Sequence, residues 1–179
     1  MVRRVAVFGL ALAAIGLAPV TSASQTRSAT ESTLHAAFTY NFAKFAQWPD
    51  SRAASGPLTF CVLDDEAVEN ALEELIRGSS IQGREVAIVR GFEREQISLC
   101  HLLYLPEIAA ADPDLLADAL SASVLTVGGG RDFAQLGGVI GLFVEEGHMQ
   151  FAVNLGLARR AGIMLSSQML SLATIVGDG

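Results

Sequence analysis

Leu34, Ala37, Phe38, Asn41, Phe45 and Trp48 recur at i, i+3, i+4, i+7, i+11 and i+14, which traces one face of a helix. Pro49 ends it, because the residue before a proline is pushed out of the α region. Upstream, Ser28-Ala29-Thr30-Glu31 has the spacing of a capping box, and Tyr40, Lys44 and Gln47 share a second, more polar stripe. Beyond the proline the period changes. Leu58 to Leu63 reads as a buried strand, and Glu66 to Arg77 carries Ala67, Leu72, Leu75 and Ile76 at helical spacing. Gly83 turns the chain into a strand over Glu85 to Arg90, and Leu99 to Leu105 is another. Pro113 to Leu120 is a helix with Asp112 placed as its N-cap, followed by a strand over Ser123 to Val127. Such alternation predicts a single α/β domain built on an open, mostly parallel sheet with helices on both faces. Val139 to Glu145 and His148 to Val153 flank Glu146-Gly147, a hairpin signal that predicts an antiparallel C-terminal edge. Helices over Leu155 to Gly162 and Ser166 to Leu172 then close a domain that spans residues 34–176.

The first residues belong to a different pattern. Met1 to Arg4 form a basic start, Val5 to Val20 is almost wholly apolar, and Thr21-Ser22-Ala23 ends in small residues, the order of a secretory signal peptide over residues 1–23. A retained anchor is the other reading, but about 16 apolar residues broken by Gly9, Gly16 and Pro19 fall short of the roughly 20 that a span needs. A polar segment, residues 24–33, leads into the domain. Loss of Arg3 and Arg4 takes 12 basic against 19 acidic residues to 10 against 19, a net charge of −9. An acidic chain with scattered basic residues lacks the electrostatic footprint of a nucleic-acid binder. No later segment reaches membrane-span length, so the expected product is a soluble periplasmic protein without membrane insertion. Cys61 and Cys100 then meet an oxidising compartment, where pairing competes with the alternative of two buried free thiols.

Candidate chemistry is sparse. Gly128-Gly129-Gly130-Arg131 lies between a strand and a helical turn, where backbone N–H groups could cradle a phosphate, yet it matches neither a P-loop nor a first-unit dinucleotide fingerprint. Asp64-Asp65-Glu66 and Glu145-Glu146 sit where strands end and read as turn residues, Asp65 as an N-cap. His35, His101 and His148 lie far apart without zinc-ligand spacing, so no metal or other cofactor is expected. Ser166-Ser167 could be offered as nucleophiles, but N-capping of the following helix explains them with less. On a continuous helix Lys44 and Trp48 meet, with Tyr40 one turn back, as a cation and an aromatic wall for an aromatic or anionic metabolite. The competing reading packs Trp48 in the core under the lysine stem.

The run Ala37-Phe38-Thr39-Tyr40-Asn41-Phe42-Ala43-Lys44-Phe45-Ala46-Gln47-Trp48-Pro49 resembles the opening motif of the YfiR-like family of periplasmic regulators. Phe60-Cys61-Val62-Leu63, Cys100 to Tyr104, Val124 to Gly128, Gly137 to Ile140, and Asn154 through Gly162 to Ser167 follow that family's pattern in order. The resemblance implies a non-enzymatic repressor that binds the periplasmic part of an inner-membrane diguanylate cyclase. It would thereby lower cyclic-di-GMP and biofilm formation. It further implies an outer-membrane lipoprotein able to sequester the repressor and a bridge between Cys61 and Cys100, and association of two copies into a homodimer is left open beside these. Partner or ligand contacts are expected at Tyr40, Asn41, Lys44, Trp48 and Arg159, with Gln168 standing where the family would carry a basic group. The alternative from another class is a periplasmic small-molecule sensor built on Lys44, Trp48 and the glycine loop, and no catalytic residues are expected in either case.

Overall fold

The structure, a computed structural model, describes residues 22–53, 56–106 and 112–177. The expected signal peptide therefore lies almost entirely outside the described residues. A long helix α1 (Ser22–Phe45) is followed by β1 (Ala46–Gln47) and a single turn, α2 (Asp50–Ala53). Next come β2 (Leu58–Val62), α3 (Glu66–Ile76), β3 (Ser80–Ile81), β4 (Arg84–Val89) and a 3₁₀ segment over Arg94–Leu99. β5 (Leu102–Leu105), α4 (Pro113–Ser121), β6 (Leu125–Gly129), a 3₁₀ turn over Arg131–Ala134 and the hairpin strands β7 (Ile140–Glu145) and β8 (His148–Asn154) continue the chain. It ends with α5 (Leu155–Arg160), β9 (Met164–Leu165), α6 (Ser167–Leu170) and β10 (Thr174–Val176).

The main sheet runs β10-β8-β7-β6-β5-β2-β4-β3. β4, β2, β5, β6 and β7 are mutually parallel, and β7 pairs β8 antiparallel, the expected hairpin. From β2 the chain moves outward to β4, then returns past β2 to build β5, β6 and β7. The order thus reverses between β2 and β5, which puts the crossovers on opposite faces. Side-chain alternation divides the core accordingly. Phe60 and Val62 of β2 with Leu102 and Tyr104 of β5 join the cluster that packs under α1 and α3. Cys61, Leu103 and Leu105 join Phe92, Leu115, Leu116 and Phe133 on the other face. Both faces are covered, so these strands read as unbroken apolar runs.

Local signals account for several boundaries. Asp65 caps α3 by accepting from the Val68 N–H at 3.0 Å, and Asp112 caps α4 through the Asp114 N–H at 2.8 Å. Ser166 accepts from the Met169 N–H at 3.2 Å, which makes it a cap of α6. Gly162, at φ +72°, stops α5. Cys61 and Cys100 form a disulfide, their Cα atoms 5.8 Å apart, because β2 and β5 are neighbours.

Other boundaries depart from the sequence reading. The helix does not start at Ser28 but already runs from Ser22, and it stops at Phe45 rather than carrying on to Trp48. The reason is a pairing invisible in the local pattern: Ala46 and Gln47 form a small antiparallel pair with Leu165 and Met164 of β9. Leu99 belongs to a 3₁₀ segment instead of a strand. Outside the hairpin, β10 lies parallel to β8, a strand that three residues of sequence did not signal. No described helix is long and apolar enough to cross a membrane.

Candidate functional site

Buried positions of α1 are Ala36, Thr39, Phe42 and Ala43, with small residues where the helix approaches its neighbours most closely. The stripe drawn by spacing, Ala37, Phe38, Asn41 and Phe45, is instead the half-covered flank. With Phe42 it forms one wall of a cavity of about 270 Å³ that Phe151 of β8 and Gln168, Met169 and Leu172 of the α6 region complete. Phe42 holds the ring array together, lying 5.0 Å from Phe151 and 6.0 Å from Phe38 between centroids, both pairs tilted. Among the described residues the cavity's polar side chains are the amides of Asn41 and Gln168. An apolar recess with few polar groups suits a flat apolar ligand or the side chain of a docking partner. Leu172 on its rim is 69% exposed, a large apolar side chain left in water.

Three of the five expected contact residues come together here. Lys44 donates from Nζ to Asn41 Oδ1 at 3.0 Å and stands 4.2 Å over the Tyr40 ring, so it is held on the helix surface beside the one of the three, Asn41, that lines the cavity. Trp48 is not with them. Since the helix has already ended, its ring turns inward, 8% exposed, and its Nε1–H donates to the His101 carbonyl at 3.0 Å. The aromatic wall expected from Lys44 and Trp48 four residues apart therefore does not form. Arg159 sits exposed in the last turn of α5, without an ion pair among the described residues.

Trp48 leads to a polar network that the sequence reading missed. His101 packs edge-on to Trp48 with centroids 5.9 Å apart. Its Nδ1 accepts from the Thr59 N–H at 3.1 Å, which leaves the ring proton on Nε2, 3.2 Å from the Arg52 carbonyl. Burial above all, with the Arg52 and Arg84 cations adding to it, pushes the His101 pKa down to about 4. Three residues further along, in β5, the Tyr104 hydroxyl meets His35 Nδ1 at 2.5 Å, and burial lowers His35 and raises Tyr104. Isolated histidines carry no spacing signal, so only the fold could have exposed these pairs.

The remaining candidates are structural. A Cβ on Gly128 would fall 2.3 Å from the Phe133 ring and one on Gly129 2.1 Å from the Pro106 carbonyl oxygen, so the glycine loop serves close packing and leaves no phosphate cradle. Arg131 pairs with Glu145 and covers the Phe143 ring at 4.1 Å. Among the described residues no group of three or more His, Cys, Asp or Glu side chains is placed to hold a metal ion.

Comparison with known proteins places this geometry. A profile described as YfiR/HmsC-like matches residues 32–174. No curated protein matches. Among solved structures, a conserved domain protein from Vibrio cholerae O1 biovar El Tor superposes with a TM-score of 0.52 at 14% identity, over 80% of this chain and 60% of that one. The ABC domain of a Streptococcus pneumoniae protein in complex with L-Trp gives a TM-score of 0.53 at 13% identity, over 79% and 60%. This chain thus spans about 60% of the length of either structure, and at such identities the likeness is one of fold alone.

Proposed function

The chain belongs to the YfiR/HmsC-like family, and from that premise we propose that it is a periplasmic, non-enzymatic regulator that binds and represses an inner-membrane diguanylate cyclase. The observation that carries the reading is the family match over residues 32–174. The site chemistry agrees with it, because several of the side chains that could do acid, base or nucleophilic work are spent on structure. Both cysteines are bridged, Asp65 and Ser166 cap helices, and His101 is held neutral by its burial. In this reading the cyclase's periplasmic part docks over Tyr40, Asn41, Lys44 and the phenylalanine recess, and an outer-membrane lipoprotein competes for the repressor. Deleting the gene should raise cyclic-di-GMP and surface attachment, and complementation with Leu172→Asp, on the exposed rim of the recess, should fail to restore repression while the variant accumulates in the periplasm. Unchanged nucleotide in the deletion strain, with the cognate cyclase expressed, would refute the regulator.

A second reading is small-molecule sensing at the same recess, and the two amides of Asn41 and Gln168 among phenylalanines favour it. Calorimetric titration with aromatic amino acids distinguishes it: saturable heat lost in Gln168→Ala supports a sensor, and no heat excludes that ligand class.

A further inference from the structure

A second cavity, about 330 Å³, lies where β1 meets the β3–β4 hairpin, and its lining is Gln47, Trp48, Leu58, Ile81, Gln82 and Arg84. Trp48, Leu58 and Ile81 are buried and give it an apolar wall. Its charged member is incompletely satisfied. Arg84 donates from Nε to the Gly56 carbonyl at 3.1 Å, from Nη1 to the Arg52 carbonyl at 3.4 Å and from Nη2 to the Pro57 carbonyl at 3.0 Å. A fourth N–H, on Nη2, faces His101 Nε2 at 3.0 Å, but that nitrogen carries the ring proton and cannot accept. Of the five guanidinium N–H groups, two are left without an acceptor among the described residues, and the one not turned against His101 is the second N–H of Nη1.

The charge balance is equally one-sided. Arg90, Arg94 and Arg131 all pair with carboxylates, whereas neither Arg84 nor the adjacent Arg52 does so among the described residues. Arg52 spends Nη1 and Nη2 on the Ser98 and Cys100 carbonyls, and its buried Nε has no acceptor. Its pKa is lowered by burial first and by Arg84 second, the signature of a cation facing another cation. A chain with 19 acidic residues has thus left two neighbouring arginines without one beside an apolar recess. We propose that this cavity binds a small organic carboxylate, with its apolar body against Trp48, Leu58 and Ile81 and its charged end on the open Nη1 N–H of Arg84. The proposal is independent of the cyclase reading, since it concerns the isolated protein.

Trp48 is the single tryptophan of the chain, so its emission reports this cavity directly. The experiment titrates the purified protein with hexanoate and, in parallel, with hexanamide, which keeps the body and removes the charge. Hexanoate should shift the emission saturably and bind at least about tenfold more tightly than the amide, as a charge-assisted pair over a neutral one implies. Arg84→Gln should abolish that preference while leaving the amide response. Should Arg84→Gln not fold, Gln47→Glu, a surface change that brings a carboxylate to the lining, should weaken hexanoate and spare hexanamide. Equal affinities for acid and amide, or no emission change with either at millimolar concentration, would overturn the assignment.

Discussion

Acid should unfold this protein in part through one residue, His101. The ring is buried and neutral, with Nδ1 accepting from the Thr59 N–H and Nε2–H directed at the Arg52 carbonyl, and protonation would set a new N–H against an N–H beside two guanidinium groups. Its native pKa of about 4 lies below the ordinary 6.5, so between those values the unfolded chain binds a proton that the native chain does not. Stability therefore falls as pH drops from 6.5, and the loss levels off below about 4. At about 1.4 kcal/mol per pH unit, that gap corresponds to about 3 kcal/mol, a large share of a domain stability of about 5 to 15 kcal/mol. The assay is urea unfolding at several pH values from 7 to 4 for the native sequence and for His101→Gln. At pH 7 the variant should be the less stable, by about 1 to 3 kcal/mol for the lost buried hydrogen bonds. By pH 4 the difference should have shifted in the variant's favour by about 3 kcal/mol, because carboxylate effects common to both proteins cancel. A difference that stays constant from pH 7 to pH 4 would show that His101 carries no such proton linkage, and the reasoning would fail.

Other outcomes follow from packing and covalent structure. Removing the bridge by Cys61→Ser or Cys100→Ser should each cost about 4 kcal/mol in urea unfolding, given a sequence separation of 39, and the double variant should be no worse than either single one. Gly138→Ala would set its Cβ 1.8 Å from the Phe133 ring, which Gly128 already crowds from the other side, so a loss of about 3 kcal/mol is expected by calorimetry. Asp65→Ala should cost about 1 kcal/mol through the lost α3 cap, and Asp65→Asn should recover most of it. Mass spectrometry of the exported protein should find an N-terminus at Ser24, and an intact Met1 on a membrane-bound species would refute cleavage.

How far the chain could be read without coordinates differs between the fold and the candidate site. Strands β2, β5 and β6 were legible because burial on both faces demands apolar runs, and the hairpin because Glu146-Gly147 supplies the positive φ that its turn requires. Tyr40, Asn41 and Lys44 were found as neighbours because they share one helix, where spacing alone fixes proximity. Trp48 was misplaced by the same logic carried past Phe45, where strand pairing with β9 outweighs helical propensity. His101, Arg52 and Arg84 stand far apart in sequence and carry no periodic signal.

What the sequence determined by itself, then, is whatever depends on neighbours a few residues away: the α/β alternation, the Asp65, Asp112 and Ser166 caps, and the polar stripe of α1. The family resemblance belongs with these, since it rests on ordered local motifs. Tertiary structure alone decided which stripe of α1 is buried, that four phenylalanines from α1 and β8 enclose a recess, and that two unpaired arginines flank a neutral histidine beside Trp48. The physical reason is that burial and charge pairing depend on chain segments brought together across the sheet, 36 residues apart for Trp48 and Arg84 and 53 for Trp48 and His101, and no local period encodes such distances.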